Sequence, residues 1–179
     1  MKIVATNLGE RKRVNWKGTI LDTGFFKAPV ASIFLGTEDV DKDAVVDREV
    51  HGGIDNAVYA YSTDHYPYWK SMYPDLAWEF GMFAENLSVE GMDEATIYVG
   101  STYKIGEAIV EVTKPREPCV KLGMRFNDAE MVKRFWNTNK SGMYFKVVKT
   151  GIVKPGDEFI LIEEKKENRT IAQVYESLK

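Results

Sequence analysis

The chain has 179 residues, with 24 Lys and Arg against 27 Asp and Glu, a net charge of -3 and 44% apolar residues. That length fits one domain with its own core, and the charge balance argues against a generally basic nucleic-acid binder. The single cysteine excludes an internal disulfide and suits a reducing, cytoplasmic setting, and no segment approaches the ~18 apolar residues of a membrane-spanning helix.

In chain order, the β-rich runs Val30 to Leu35, Val45 to Val50 and Ala57 to Tyr61 predict short strands. A helix is expected from Thr63 to Tyr73: Ser62 or Thr63 caps it, Pro67 falls in its first turn, and Pro74 stops it. Ile97 to Ile105 and Glu107 to Lys114 read as further strands, the second with Ala108, Val110 and Val112 on one face. Asp128 is placed to cap a helix over Ala129 to Thr138. Met143 to Lys149 and Glu158 to Ile162 predict strands separated by Gly151 and the Pro155-Gly156-Asp157 turn. Last, Thr170 and Gln173 form a capping box ahead of the helically spaced Ile171, Val174, Tyr175 and Leu178. The charge run EEKKENR precedes that helix. Residues 164–179 are therefore expected to leave a main domain of residues 1–163 and to pack on a second subunit, giving a homodimer. Short strands without regular helices between them predict a mainly β fold with a closed or nearly closed sheet and a few peripheral helices.

The candidate chemistry begins at TKPREPCVK, where Pro115 and Pro118 stiffen the turn that carries Cys119. Arg116, Lys114 and Lys121 favour its thiolate, the form that attacks or binds a soft metal; the alternative is a packed apolar thiol. His51 ends a strand and is followed by Gly52 and Gly53, whose backbone can turn N–H groups towards an anion or make an ordinary turn. Glu85 and Asn86 interrupt an apolar run, either as turn caps or as the fixed donors and acceptors of a ligand pocket. Lys27, between aromatics and Pro29, is a solvated charge or reaches a phosphate. Asp39, Asp41 and Asp43 imitate a calcium loop, but Ala44 and Val50 replace its required Gly and Glu, so the stretch reads as a solvated loop. One Cys and two His fall short of a closed zinc site.

Five segments carry a family resemblance: GFFKAPV from Gly24, DREVHGGIDNA from Asp47, YSTDHYPYW from Tyr61, GMFAENL from Gly81 and PREPCVKL from Pro115. GMYFKVV from Gly142 adds a sixth. In this order they resemble the MOSC-domain family, in the branch of bacterial 6-N-hydroxylaminopurine resistance proteins. Ala84 stands where that branch usually has Gly, Ser101 where Asp is common, and Lys146 where Arg is usual. The resemblance implies a MOSC-type β-barrel that binds the molybdenum cofactor, a molybdopterin, with Cys119 as the thiolate ligand to the metal. It implies that Lys27, Arg48 and Arg116 hold the cofactor's phosphate. His51, Gly52, Gly53, Asp55, Glu85 and Asn86 would line the pterin pocket, with Tyr59 and Tyr144 as further wall residues. The activity implied is reduction of an N-hydroxylated small molecule, with Cys119, His51 and Arg116 at the reacting centre. No flavin, haem or iron–sulfur motif is present, so an external redox protein would supply the electrons. Sulfur transfer through a Cys119 persulfide and a carrier role without turnover are the alternatives.

Overall fold

A computed structural model describes residues 1–44, 46 and 53–179. The expected strand over Val45 to Val50, apart from Val46, and the candidates Arg48, His51 and Gly52 lie outside the described residues.

The Tyr-rich strand β6 (Val58–Ser62) shows how the sequence builds the fold. Every one of its five residues is buried. Successive side chains of a strand point to opposite faces, so Val58 and Ala60 enter one core while Tyr59 and Tyr61 enter another. The first core is aliphatic, and on β6's other face the aromatic core gathers Trp69, Phe83, Phe126 and Phe135. Tyr61 stacks on Phe83 with ring centroids 4.2 Å apart, and its hydroxyl accepts a 2.7 Å hydrogen bond from the Trp69 indole.

Around β6 the chain winds a sheet from β1 (Lys2–Gly9), β4 (Lys27–Val30), β7 (Leu87–Glu90), β8 (Thr102–Ile105), β9 (Ala108–Pro115), β10 (Met143–Lys149) and β12 (Phe159–Glu163). Their order is β12-β8-β9-β10-β6-β7-β1-β4. The sheet curls so that the start of β1 comes beside the start of β12: Lys2 bridges Glu158, and the Phe159 N–H donates to the Met1 carbonyl at 3.1 Å. The mainly β fold with a few helices expected from the sequence is present, but among the described residues β4 and β12 are not paired with each other, so the sheet is not a closed barrel. A hairpin of β2 (Lys12–Trp16) and β3 (Thr19–Thr23), and the pair β5 (Ile33–Leu35) with β11 (Gly151–Val153), stand beside the main sheet. Strands β6 and β7 run parallel, and the crossover a parallel pair requires contains α1 (Tyr66–Met72) and much of the aromatic core.

Several expected elements shift. Val30 to Leu35 is two strands, because β4 pairs with β1 whereas β5 pairs with β11. Only Thr102–Ile105 of the expected Ile97 to Ile105 strand is extended. The helix expected from Ala129 begins at Met131 (α3, Met131–Trp136), although Asp128 does accept a 2.9 Å bond from the Glu130 N–H at its start. A helix not foreseen, α2 (Val120–Phe126), begins directly after Cys119.

The tail also differs from expectation. Its helix α4 (Ile171–Glu176) has the predicted Thr170–Gln173 capping box, but it packs on the body of its own chain. Ile171 and Tyr175 are completely buried, and the Ile171 and Ala172 N–H groups donate to Ile97 and Glu94. The apolar face that suggested a dimer is used inside the protomer. No helix among the described residues is long and apolar enough to cross a membrane.

Candidate functional site

One cavity collects the chemistry. It lies where β3 and β4, the segment before residue 45, β6, the turn before β7 and the start of α2 converge, and its lining includes Lys27, Asp43, Tyr59, Asn86, Arg116, Cys119 and Tyr144. Local sequence explains how these groups are presented. Pro115 ends β9, and three residues on, Pro118 precedes Cys119, which adopts an extended conformation as the N-cap of α2. The thiol thus sits at a strand-to-helix corner, half-buried, with its neighbour Val120 exposed.

Arg116 is the dominant charge. It is 93% buried, and its guanidinium lies between the rings of Tyr59, at 4.5 Å, and Phe25, at 5.2 Å. It donates to the Phe83 carbonyl. No carboxylate forms an ion pair with it among the described residues. Burial pulls its pKa down, but the Tyr144 and Tyr59 oxygens and the Cys119 sulfur more than offset this, so the net shift is upward. Burial also raises the pKa of both tyrosines, which Arg116 opposes. The Tyr59 hydroxyl is committed to the Ser141 carbonyl at 2.8 Å.

Lys27 is buried as well, but it is paired. Its ammonium donates to Asp43, which accepts at the same oxygen from the Asn86 amide at 2.8 Å and at the other from the Gly9 N–H at 2.8 Å. Desolvation pulls the Lys27 pKa down, and Asp43 works against that shift. Among the described residues a ligand therefore meets two buried cations, Lys27 neutralised by Asp43 and Arg116 with no carboxylate partner. The sequence reading missed Asp43, which it placed in a solvated loop.

Not every expected pocket residue faces this cavity. Glu85 is completely buried behind it, accepting from the Tyr66 hydroxyl at 2.5 Å, the Gly81 and Phe83 N–H groups at 2.9 and 3.0 Å, and the Ser88 hydroxyl at 2.7 Å. It braces the wall rather than lining it. Gly53 and Asp55 belong to an adjoining shallow depression with Ile54 and Lys114, which shares Glu38 and Asn56 with the main cavity. Ala84 lines the cavity with φ at 60°, a left-handed conformation natural to glycine, so the backbone path survives the side chain. Lys146 pairs with Glu111 at 2.8 Å and does not line the cavity.

A model of the MOSC domain matches residues 47–160. The chain belongs to the MOSC-domain family. It is 35% identical over 161 residues to the uncharacterized protein YflK of Bacillus subtilis, covering 89% of this chain and 72% of that one. It is 38% identical over 117 residues to a protein named reductase in Gibberella moniliformis, covering 63% of this chain but 21% of that protein. The crystal structure of YiiM from Geobacillus stearothermophilus superposes with a TM-score of 0.80 at 29% identity, covering 99% of this chain and 83% of that one. This MOSC chain thus falls in the YiiM-like branch, that of the 6-N-hydroxylaminopurine resistance proteins, as the order of its motifs indicates.

The donor set fits an anionic group with a soft metal. Cys119 offers one sulfur, and Arg116, which no carboxylate pairs among the described residues, suits a negative partner. No group of three or more His, Cys, Asp and Glu side chains is placed to hold a metal ion by itself among the described residues. One protein sulfur can complete a coordination sphere that arrives largely assembled.

Proposed function

We propose that this MOSC protein binds the molybdenum cofactor and reduces N-hydroxylated bases or related N-hydroxylated compounds with electrons from an external redox protein. The observation that carries this reading is Arg116, a buried cation with no ion-pair partner among the described residues, close enough to Cys119 to feel its charge. Leaving a charge buried and uncompensated costs several kcal/mol. Such a group is retained where a ligand completes it.

When bound, the cofactor supplies two-electron redox chemistry at a metal. The chain's own residues bind and orient. Cys119 gives its sulfur to the metal from a corner fixed by Pro118 and the first turn of α2. Arg116, set against the rings of Tyr59 and Phe25, would hold the cofactor's phosphate by its charge and N–H donors. Lys27 and Asn86 also line the cavity, their donors turned to Asp43. In the overall change the substrate's N–O bond breaks, two electrons and two protons are taken up, and an N–H group and water result. The donor provides the electrons, and an external source is consistent with a chain that has no redox-cofactor motif of its own.

The test is molybdenum and pterin content of protein from molybdate-replete cells, wild type beside Cys119→Ala. Near-stoichiometric metal in the wild type, lost in the variant, is expected. Metal retained at wild-type level in Cys119→Ala removes the ligand assignment. No metal in either, from a host able to make the cofactor, refutes the reading and turns attention to sulfur transfer.

A further inference from the structure

The Asp-rich stretch that fails as a calcium loop contributes a residue to the cavity. We propose that Asp43 is a specificity-determining residue that serves as a built-in anion, occupying the Lys27 and Asn86 donors until an anionic group of the ligand takes its place. This rests on the reading of the cavity as an anion site given above.

The geometry is that of an anion seat already filled. Asp43 accepts from an ammonium, a side-chain amide and a backbone N–H, the three donor types that proteins use to hold phosphate. Both members of the ion pair are almost fully buried, with the Lys27 and Asp43 side chains 9% and 4% exposed. The Lys27 ammonium is bonded to Asp43 inside the cavity wall, so an anion reaches it by entering the cavity. Once there it meets Asp43, whose negative charge repels it.

The consequence is selective. With Asp43 in place, an anion of low charge gains only Arg116 of the three donors Lys27, Asn86 and Arg116. An anion bearing two or more charges gains enough from Lys27, Asn86 and Arg116 together to displace or outweigh the carboxylate. Asp43 thus raises the charge a ligand needs, and excludes monoanions such as chloride or simple carboxylates.

The experiment is isothermal titration of the full chain with inorganic pyrophosphate, using protein from cells unable to make the cofactor. Wild type, Asp43→Asn, Lys27→Met and the double variant are compared, with Arg116→Met as the reference for the anion site. Asp43→Asn is expected to bind at least about tenfold tighter, the worth of one charge-assisted hydrogen bond gained. Adding Lys27→Met should abolish that gain. If Asp43→Asn binds no tighter while Arg116→Met still weakens binding, the cavity takes anions but Asp43 is only a structural counter-ion, and the proposal falls alone. If no variant binds pyrophosphate, the proposal and the anion reading fall together. Asp43→Asn also strips a buried ammonium of its carboxylate and risks the fold, so the wild type supplies a second reading. Its Lys27 side-chain nitrogen resonance should move on titration with pyrophosphate, and an unmoved resonance at saturation overturns the exchange.

Discussion

Replacing Glu85 with alanine should unfold the wall of the cavity before it alters any binding there. The carboxylate is completely buried and accepts four hydrogen bonds, from the Tyr66 and Ser88 hydroxyls and the Gly81 and Phe83 N–H groups. Alanine leaves those four donors without their acceptor. Each unsatisfied donor costs about 1–3 kcal/mol, partly offset because the carboxylate no longer has to be desolvated. The net expectation is a loss of roughly 3–5 kcal/mol. For a chain of this length that corresponds to a melting temperature lower by about 6–20 °C. Tyr66 marks the strength of the bond: burial and then Glu85 push its pKa far above the ordinary phenol range, so it stays a donor. Urea unfolding followed by tryptophan fluorescence suits the question, since Trp69 and Trp78 belong to the aromatic core that Glu85 braces. Glu85→Gln should fall between the two, because its amide nitrogen offers donors where acceptors are needed. A loss below about 1 kcal/mol in Glu85→Ala would refute the reasoning. So would an unchanged melt accompanied by lost cofactor, which would return Glu85 to the pocket lining.

Two further variants probe the same frame. Gly142→Ala should cost about 2–4 kcal/mol, because the residue has a φ of 65° and an added Cβ would stand 2.5 Å from the Ala60 carbonyl and 2.8 Å from the Tyr59 hydroxyl. A thermal melt within a degree of wild type would show that β6 yields more easily than its complete burial implies. Truncation after Glu163 removes Ile171 and Tyr175, both fully buried, and should lower stability by roughly 5 kcal/mol or more. A truncated protein with an unchanged melt but a smaller solution mass would instead give the tail the inter-subunit role expected from its sequence.

How much of this was legible in the sequence depended on whether the decisive partner was near in the chain. Strands β9 and β10 alternate cleanly because one face is buried against the aliphatic core, and the α4 capping box is complete within four residues. Strand β1 hides its period: Ala5, Thr6 and Asn7 are buried in succession, and a register shift between Ile3 and Ala5 breaks the alternation. The β2–β3 hairpin turns through Lys17 and Gly18, both with positive φ, where the usual Asn-Gly signal is absent. Helix α2 was masked by the two prolines that announce a loop, and by Gly123, where a Cβ would meet the Asp128 carbonyl at 2.9 Å.

The site divides along the same line. Lys27, Asn86, Arg116 and Cys119 could be picked out because each stands in an unusual local setting, and the cavity brings them together. What the sequence did not reveal is which charge answers which. Asp43 reaches Lys27, Gly9 and Asn86 across separations of 16, 34 and 43 residues, so nothing beside it in the chain distinguishes it from the exposed Asp41 two positions earlier. Glu85 and Asn86 are adjacent in the turn before β7, yet one braces the wall and the other lines the cavity, a division that the order of residues in the chain does not reveal. Motifs therefore supply the inventory of a buried polar site, and only the fold supplies its charge balance. Here that balance is one pair closed by Asp43 and one arginine that the rest of the described chain leaves for a ligand.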